Sequence, residues 1–264
     1  MKLCMMSCMM GRFTPEQIVA TATACGMEAI DWVSTHHTEP AELRKISEDA
    51  GLRIAAHTMI KEKFLRRETD YLDEFKASLD DACILGAPVL MLPPFPRIRQ
   101  VSLEDDRKAW TEYYAQALPL ARKAGVTLTL ESTGMINSPI VTVSEALEVL
   151  RNVPGLKLTL DHGNMQTAED AVEAYSILKE HVVHVHLKDW KVYDSPRADT
   201  TLKRCGKYFA NAVIGKGDMD LRTFWENLDS RGRNLYVNLE TMDFMNPDST
   251  PDVLKQVSDL LRNW

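Results

Sequence analysis

Four segments of this chain finish on groups that bind metals or move protons. VTLTLE ends on Glu131, LKLTLD on Asp161 and LYVNLE on Glu240, and VVHVHL carries His186 one place before its end. In each, apolar residues alternate with polar ones. Glu131 shares a face with Thr127 and Thr129, Asp161 with Lys157 and Thr159, His186 with His184, and Glu240 with Tyr236 and Asn238. That period of two belongs to a β-strand. LRIAAHT follows the same rule, with His57 on the face of Arg53 and Ala55. One carboxylate at a strand end is commonly a turn former or a helix cap. The same parity in successive strands points instead to a shared inward face on which these groups meet. Three carboxylates brought together repel one another unless a cation lies among them. An imidazole with three carboxylates is a hard, oxygen-rich set. It suits a divalent metal, with Mn²⁺ as first choice and Mg²⁺, Co²⁺ or Zn²⁺ as alternatives.

Such an ion polarises a carbonyl and an adjacent hydroxyl, and the C–H beside the carbonyl becomes acidic. Glu131 and Glu240 lie on well-separated strands and are read as the acid/base pair flanking a planar enediolate. Returning the proton to the opposite face gives epimerisation, and returning it to the neighbouring carbon gives aldose–ketose isomerisation. The expected activity is therefore isomerisation or epimerisation of a small sugar, ketose, sugar acid or sugar phosphate. A leaving group β to the carbonyl would make the same site a lyase or dehydratase of a keto-sugar or keto-polyol. A third reading, a non-catalytic binding protein, is disfavoured by the intact ligand set.

The elements that must hold these groups alternate along the chain. A first strand near Lys2 to Ser7 precedes Thr14-Pro15-Glu16-Gln17, a helix start with a capping box. EAIDW, LRIAAHT and PVLMLP give strands two to four, and the four segments above give strands five to eight. Helices are expected at about 14–26, 40–50, 68–86, 103–124, 143–151, 168–180, 219–231 and from 251 onward, several ending at a glycine. Eight β-α units in series predict an α/β fold, a (β/α)₈ TIM barrel, formed by one domain over residues 1–264. The C-terminal rim of its strands is then the active face. An open doubly wound sheet is the runner-up, but SCMMGRFTP after strand one carries no G-x-G-x-x-G.

Composition sets the outer limits. The chain has 264 residues, 45% of them hydrophobic, and a formal net charge of −7, which disfavours a nucleic-acid partner. No apolar run is long enough for a membrane span. MKLCMMSCMM is too short for a secretory signal. Five scattered cysteines form no C-x-x-C pair, so a reducing cytoplasm is the expected compartment.

The pieces VTLTLEST, LKLTLDHGN, HVHLKDW, GKGDMDLRTFWENL, LYVNLE and GMEAIDW, in this order and spacing, resemble the xylose isomerase-like barrel superfamily of sugar phosphate isomerases and epimerases. The resemblance extends over essentially the whole chain. It implies that Glu131, Asp161, His186 and Glu240 bind Mn²⁺, Mg²⁺ or Co²⁺, that the two glutamates transfer protons, and that copies often pair. Ketose epimerases of this kind have D-x-x-H on strand six. Here the motif is Asp161-His162-Gly163-Asn164, so Asn164 would contact substrate without a charge. Related apurinic endonucleases carry further zinc ligands that this chain lacks, which argues against DNA repair.

The stretch 187–219 is long and rich in Lys and Arg. It reads either as a lid bringing cations to an anionic substrate or as a solvated surface loop. Lys188 is its best candidate for substrate contact. His57 is expected to hydrogen-bond substrate and Trp32 to stack on a sugar face. His184 is expected behind His186 and His181 at a helix end; His36 and His37 lie in a loop at the mouth, with no role assigned.

Overall fold

The computed structural model describes residues 1–59, 62–98 and 101–264. Its strands are β1 (Lys2–Met6), β2 (Ala29–Val33), β3 (Arg53–Thr58), β4 (Val89–Met91), β5 (Thr127–Glu131), β6 (Lys157–Asp161), β7 (Val182–Leu187), β8 (Asp189–Tyr193), β9 (Thr201–Leu202), β10 (Tyr208–Ala212) and β11 (Tyr236–Leu239). Strands β1 to β7 and β11 are parallel and close into a ring, with β11 between β7 and β1. The helices are α1 (Pro15–Ala24), α2 (Pro40–Asp49), α3 (Glu62–Leu65), α4 (Tyr71–Leu85), α5 (Leu103–Lys123), α6 (Val143–Asn152), α7 (His162–Met165), α8 (Ala171–Leu178), α9 (Leu221–Asn227) and α10 (Thr250–Arg262). This is the (β/α)₈ TIM barrel expected from the alternation of elements.

Local chemistry starts and stops the helices. Thr14 and Gln17 form the capping box of α1, and Thr142 and Glu145 form another on α6. Gly86, in the left-handed region at φ 75°, closes α4. Some helices are shorter than their patterns predict. The segment expected at 168–180 is α8, preceded by the separate turn α7. The segment expected at 219–231 is α9, which begins where Asp220 accepts from the Thr223 N–H and ends at extended Leu228.

The outward faces of the strands and the helices around them form one large apolar core, including Leu128, Leu130, Leu158, Leu160, Val185 and Leu239. Inside the ring the N-terminal end is filled by Cys4, Ala29 and Ala55, with Tyr236 against them. Above them the filling turns polar, beginning with Thr129 and Thr159, whose hydroxyls are 2.9 Å apart. The inward parity read from β5, β6, β7 and β11 is therefore the parity observed.

The stretch 187–219 is more ordered than its loop-like sequence suggests. Strands β8, β10 and β9, in that order, make a separate antiparallel sheet. Asp189 ties its two ends together by accepting backbone N–H groups from Trp190 (2.8 Å), Gly215 (2.9 Å), Gly217 (2.9 Å) and Met219 (3.2 Å). A Cβ on Gly217 would lie 1.9 Å from the Asp189 carboxylate, so the backbone approaches only as glycine. No helix among the described residues is long and apolar enough to cross a membrane.

Candidate metal centre

Glu131 closes β5, Asp161 closes β6, His186 lies near the end of β7, and Glu240 directly follows β11. Each offers a ligand atom within 4.8 Å of those of the other three. Asp161 uses one oxygen to accept the Asn164 N–H at 2.8 Å, capping α7. Its other oxygen is buried with no hydrogen-bond partner among the described residues, and so is Nδ1 of His186. That nitrogen lies 2.9 Å from Oε1 of Glu131, yet the pair is not aligned as donor and acceptor. The two atoms are close enough to ligate one cation.

The electrostatics agree with that reading. Burial, then Glu240 and Glu131, push the Asp161 carboxyl well above the usual carboxylate range. Burial also disfavours a charged Glu240, but Lys188 and His186 outweigh it and hold this carboxyl below its ordinary value. Burial opposes a charged His186, and the adjacent Glu131 carboxylate, with Asp31 and Asp161 behind it, prevails and raises it to about 9. This cluster has more negative charge than its own cations balance. Orphaned buried ligand atoms and a hard donor set of three carboxylates and one imidazole fit a divalent cation.

Asp31, which the sequence reading passed over, lies directly beneath. It is fully buried in β2. Its carboxylate accepts from the Thr58 hydroxyl at 3.0 Å and from Nδ2 of Asn238 at 3.0 Å. It also lies 3.8 Å from Nε2 of His186 and 3.9 Å from Nε2 of His184. Burial raises its carboxyl to about 6. His184 is likewise buried, and burial then His186 push its imidazole well below the ordinary value. These groups back His186 on the side away from Glu131, where a ligand histidine is commonly oriented. The available signal was an Asp in the middle of the apolar strand AIDWV, on the face of Ala29 and Val33.

His57 is not where strand parity put it, and Trp32 does not face the mouth. Between β2 and β3 the register shifts, pairing Ile30 with Ile54 but Asp31 with Ala56. Ala55 is the extra residue of a bulge, and every later side chain of β3 changes face. Thr58 therefore points inward. His57 is in register with Trp32 on the outer face, where its Nδ1–H donates to the Trp32 carbonyl at 2.7 Å. Trp32 is fully buried in the outer core, and its indole N–H donates to Ser47 of α2 at 3.2 Å. It cannot stack on a ligand at the mouth. Trp32→Phe is expected to cost about 1 kcal/mol of stability and to leave substrate KM unchanged. Denaturant unfolding together with steady-state kinetics checks both parts.

The remaining predicted residues do line one cavity, of about 290 Å³, together with Glu131 and Glu240. Asn164 reaches it from α7. That short helix fits close to the chain after β7 because a Cβ on Gly163 would lie 2.7 Å from the Lys188 carbonyl. Lys188 forms an ion pair with Glu240, and its Nζ lies 4.8 Å from the centre of the Trp190 ring. Burial disfavours its charge, but Glu240 and Asp161 prevail and keep it firmly protonated. Apolar walls come from Met6, Met91, Pro93 and Phe95. A larger groove of about 780 Å³ shares Cys8, Val33 and Thr58 with this cavity and is lined by His36 and His37. His36 is anchored there, its Nε2 lying 2.8 Å from the Ser7 hydroxyl.

Comparison with known proteins bears on the fold and the family. No curated protein matches the sequence. Several solved structures share the whole fold at low identity. The 3-keto-D-glucoside 4-epimerase of E. coli superposes with a TM-score of 0.77 at 15% identity, covering 100% of both chains. The probable 3-DHS dehydratase of petrobactin synthesis from Bacillus anthracis gives 0.78 at 16%, covering 100% of this chain and 99% of that one. The IOLI protein, crystallised with a zinc atom, gives 0.79 at 17%, covering 99% and 96%. At sequence level the profile described as xylose isomerase-like TIM barrel matches residues 19–264. With that match spanning most of its length, the chain belongs to the xylose isomerase-like TIM barrel family.

Proposed function

We propose that the protein is a divalent-metal-dependent isomerase or epimerase of a small sugar-derived hydroxyketone. The observation that carries this reading is the convergence of Glu131, Asp161, His186 and Glu240 within 4.8 Å at the C-terminal rim of the barrel. These four residues would hold the cation, with Mn²⁺ as first choice. When bound, it would polarise the substrate carbonyl and the hydroxyl beside it.

The chain's own groups would do the proton work. Glu131 and Glu240 project from β5 and β11, with β6 and β7 between them in the ring. They would stand on two sides of a substrate above Asp161 and His186, one taking the proton and the other returning it. Lys188 keeps Glu240 ionised and ready to act as a base. The Asn164 side chain, on the cavity wall, would orient a substrate hydroxyl. The sheet formed by β8, β10 and β9 would exclude water.

Lys188 also supports a second reading. An ammonium paired with the base could protonate a departing hydroxyl, which would make the enzyme a dehydratase. The probable dehydratase among the similar folds is in keeping with it. The test is a panel of ketoses, keto-polyols, sugar acids and sugar phosphates in D₂O with Mn²⁺. Deuterium uptake next to the carbonyl without loss of mass identifies isomerisation or epimerisation. Loss of water identifies the lyase. No exchange and no turnover across the panel would remove both.

A further inference from the structure

Lys203 is a cation without a counter-charge. It lies on the strap between β9 and β10, is only 7% exposed, and lines the same cavity as Glu131, Asn164, Lys188 and Glu240. Its ammonium has no carboxylate or carbonyl partner among the described residues. The centre of the Trp190 ring lies 4.8 Å from it. Lys188 stands at the same distance from the same ring. Two ammonium groups thus share one indole, and only Lys188 is paired. A cation–π contact offsets only a small part of the cost of burying an ammonium. Burial and then Lys188 lower the Lys203 ammonium to about 8.

The strap is not free to withdraw this charge. Arg204 donates to the carbonyls of Ile136 (2.7 Å) and Ser138 (2.8 Å) and lies 3.3 Å from Glu145. The Cys205 N–H donates to the Thr167 carbonyl at 3.0 Å, and the Lys203 N–H to the Lys207 carbonyl at 2.9 Å. A buried, unpaired cation held in place at the wall of a cavity is a built site for an anion.

Lys188 and Lys203 are the cations that line this cavity among the described residues, and Lys188 already has Glu240 as its partner. A ligand group with one negative charge would pair Lys203 one to one, whereas a phosphate dianion would call for a second free cation. We propose that Lys203 is the anion-recognising residue of this cavity and that the substrate is a hydroxyketone bearing one carboxylate. This rests on the cavity being the substrate site of the proposed isomerase, and it narrows the substrate class.

The test reads binding rather than turnover, so it can fail while the isomerase reading stands, and the reverse. Glucuronate and glycerate are each titrated against their neutral methyl esters by calorimetry, into chelator-treated protein and into Mn²⁺-loaded protein. Wild type is expected to prefer each acid over its ester by about 10- to 100-fold, with or without metal. Lys203→Met should abolish that preference and leave ester affinity unchanged, and Lys203→Arg should keep most of it. Thermal unfolding of both variants controls for folding. Equal affinity for acid and ester, failure of both acids to bind, or an unchanged ratio in Lys203→Met overturns the proposal. A larger Lys203-dependent gain for glucose 6-phosphate than for the carboxylates overturns the monoanion assignment.

Discussion

Glu240→Gln, and separately Glu131→Gln, should lower kcat by about 10²- to 10⁴-fold, the range removed with a positioned general acid or base. An amide keeps the size of the carboxylate and can still accept a hydrogen bond, but it cannot take a proton. In Glu240→Gln the Lys188 ammonium still has an oxygen acceptor, so the cavity wall should keep its shape. Removing one charge also relieves the crowding that, after burial, pushes the Asp161 carboxyl upward. In Glu240→Gln the buried Lys188 ammonium loses its counter-charge, which works against that relief, so the metal-free variant is expected to be somewhat less stable than wild type but still folded. Metal affinity should fall, so the kinetics must be read at saturating Mn²⁺. A kcat near that of wild type in either variant would sink the acid/base pair. A large loss of Tm would show that the substitution had acted through folding.

Metal binding should appear as stability. A ligand that binds only the folded state, at about 100 times its Kd, adds about 2.7 kcal/mol. For a chain of this size that raises Tm by about 5–10 °C. Mn²⁺ added to chelator-treated protein should give this shift in a calorimetric scan, and excess chelator should reverse it. Asp161→Asn should lose most of the response. Asp161 is buried, and one of its oxygens has no hydrogen-bond partner among the described residues. An unchanged Tm on adding the metal, or a full response in Asp161→Asn, would show that the four groups do not share an ion.

Much of the site was legible because strand parity is a local property. In β5, β6, β7 and β11 the alternation of apolar and polar residues identifies the inward face, and the final inward positions are Glu131, Asp161, His186 and Glu240. The same logic failed in β3. A bulge at Ala55 inserts one residue without any mark in LRIAAHT, and parity beyond it reverses. His57 was thus assigned to the mouth, although it is in register with Trp32 on the outer face; Trp32, read as a stacking ring because it ends strand two, packs in the outer core. Asp31 was missed because a single polar residue inside an apolar strand has no partner in its own segment. Thr58, His186 and Asn238 reach it from three other strands.

The sequence by itself determined the order of elements, the closed-barrel class and the inward residues of four strands, because each depends on the side-chain period within a short segment. The tertiary structure alone decided which inward residues lie close enough to share an ion, that Asp31 backs His186, and that Lys203 enters the cavity unpaired. Those are relations between residues far apart in the chain. Ring closure, the register between neighbouring strands and the anchoring of the strap by Arg204 set them, and no local pattern encodes any of the three.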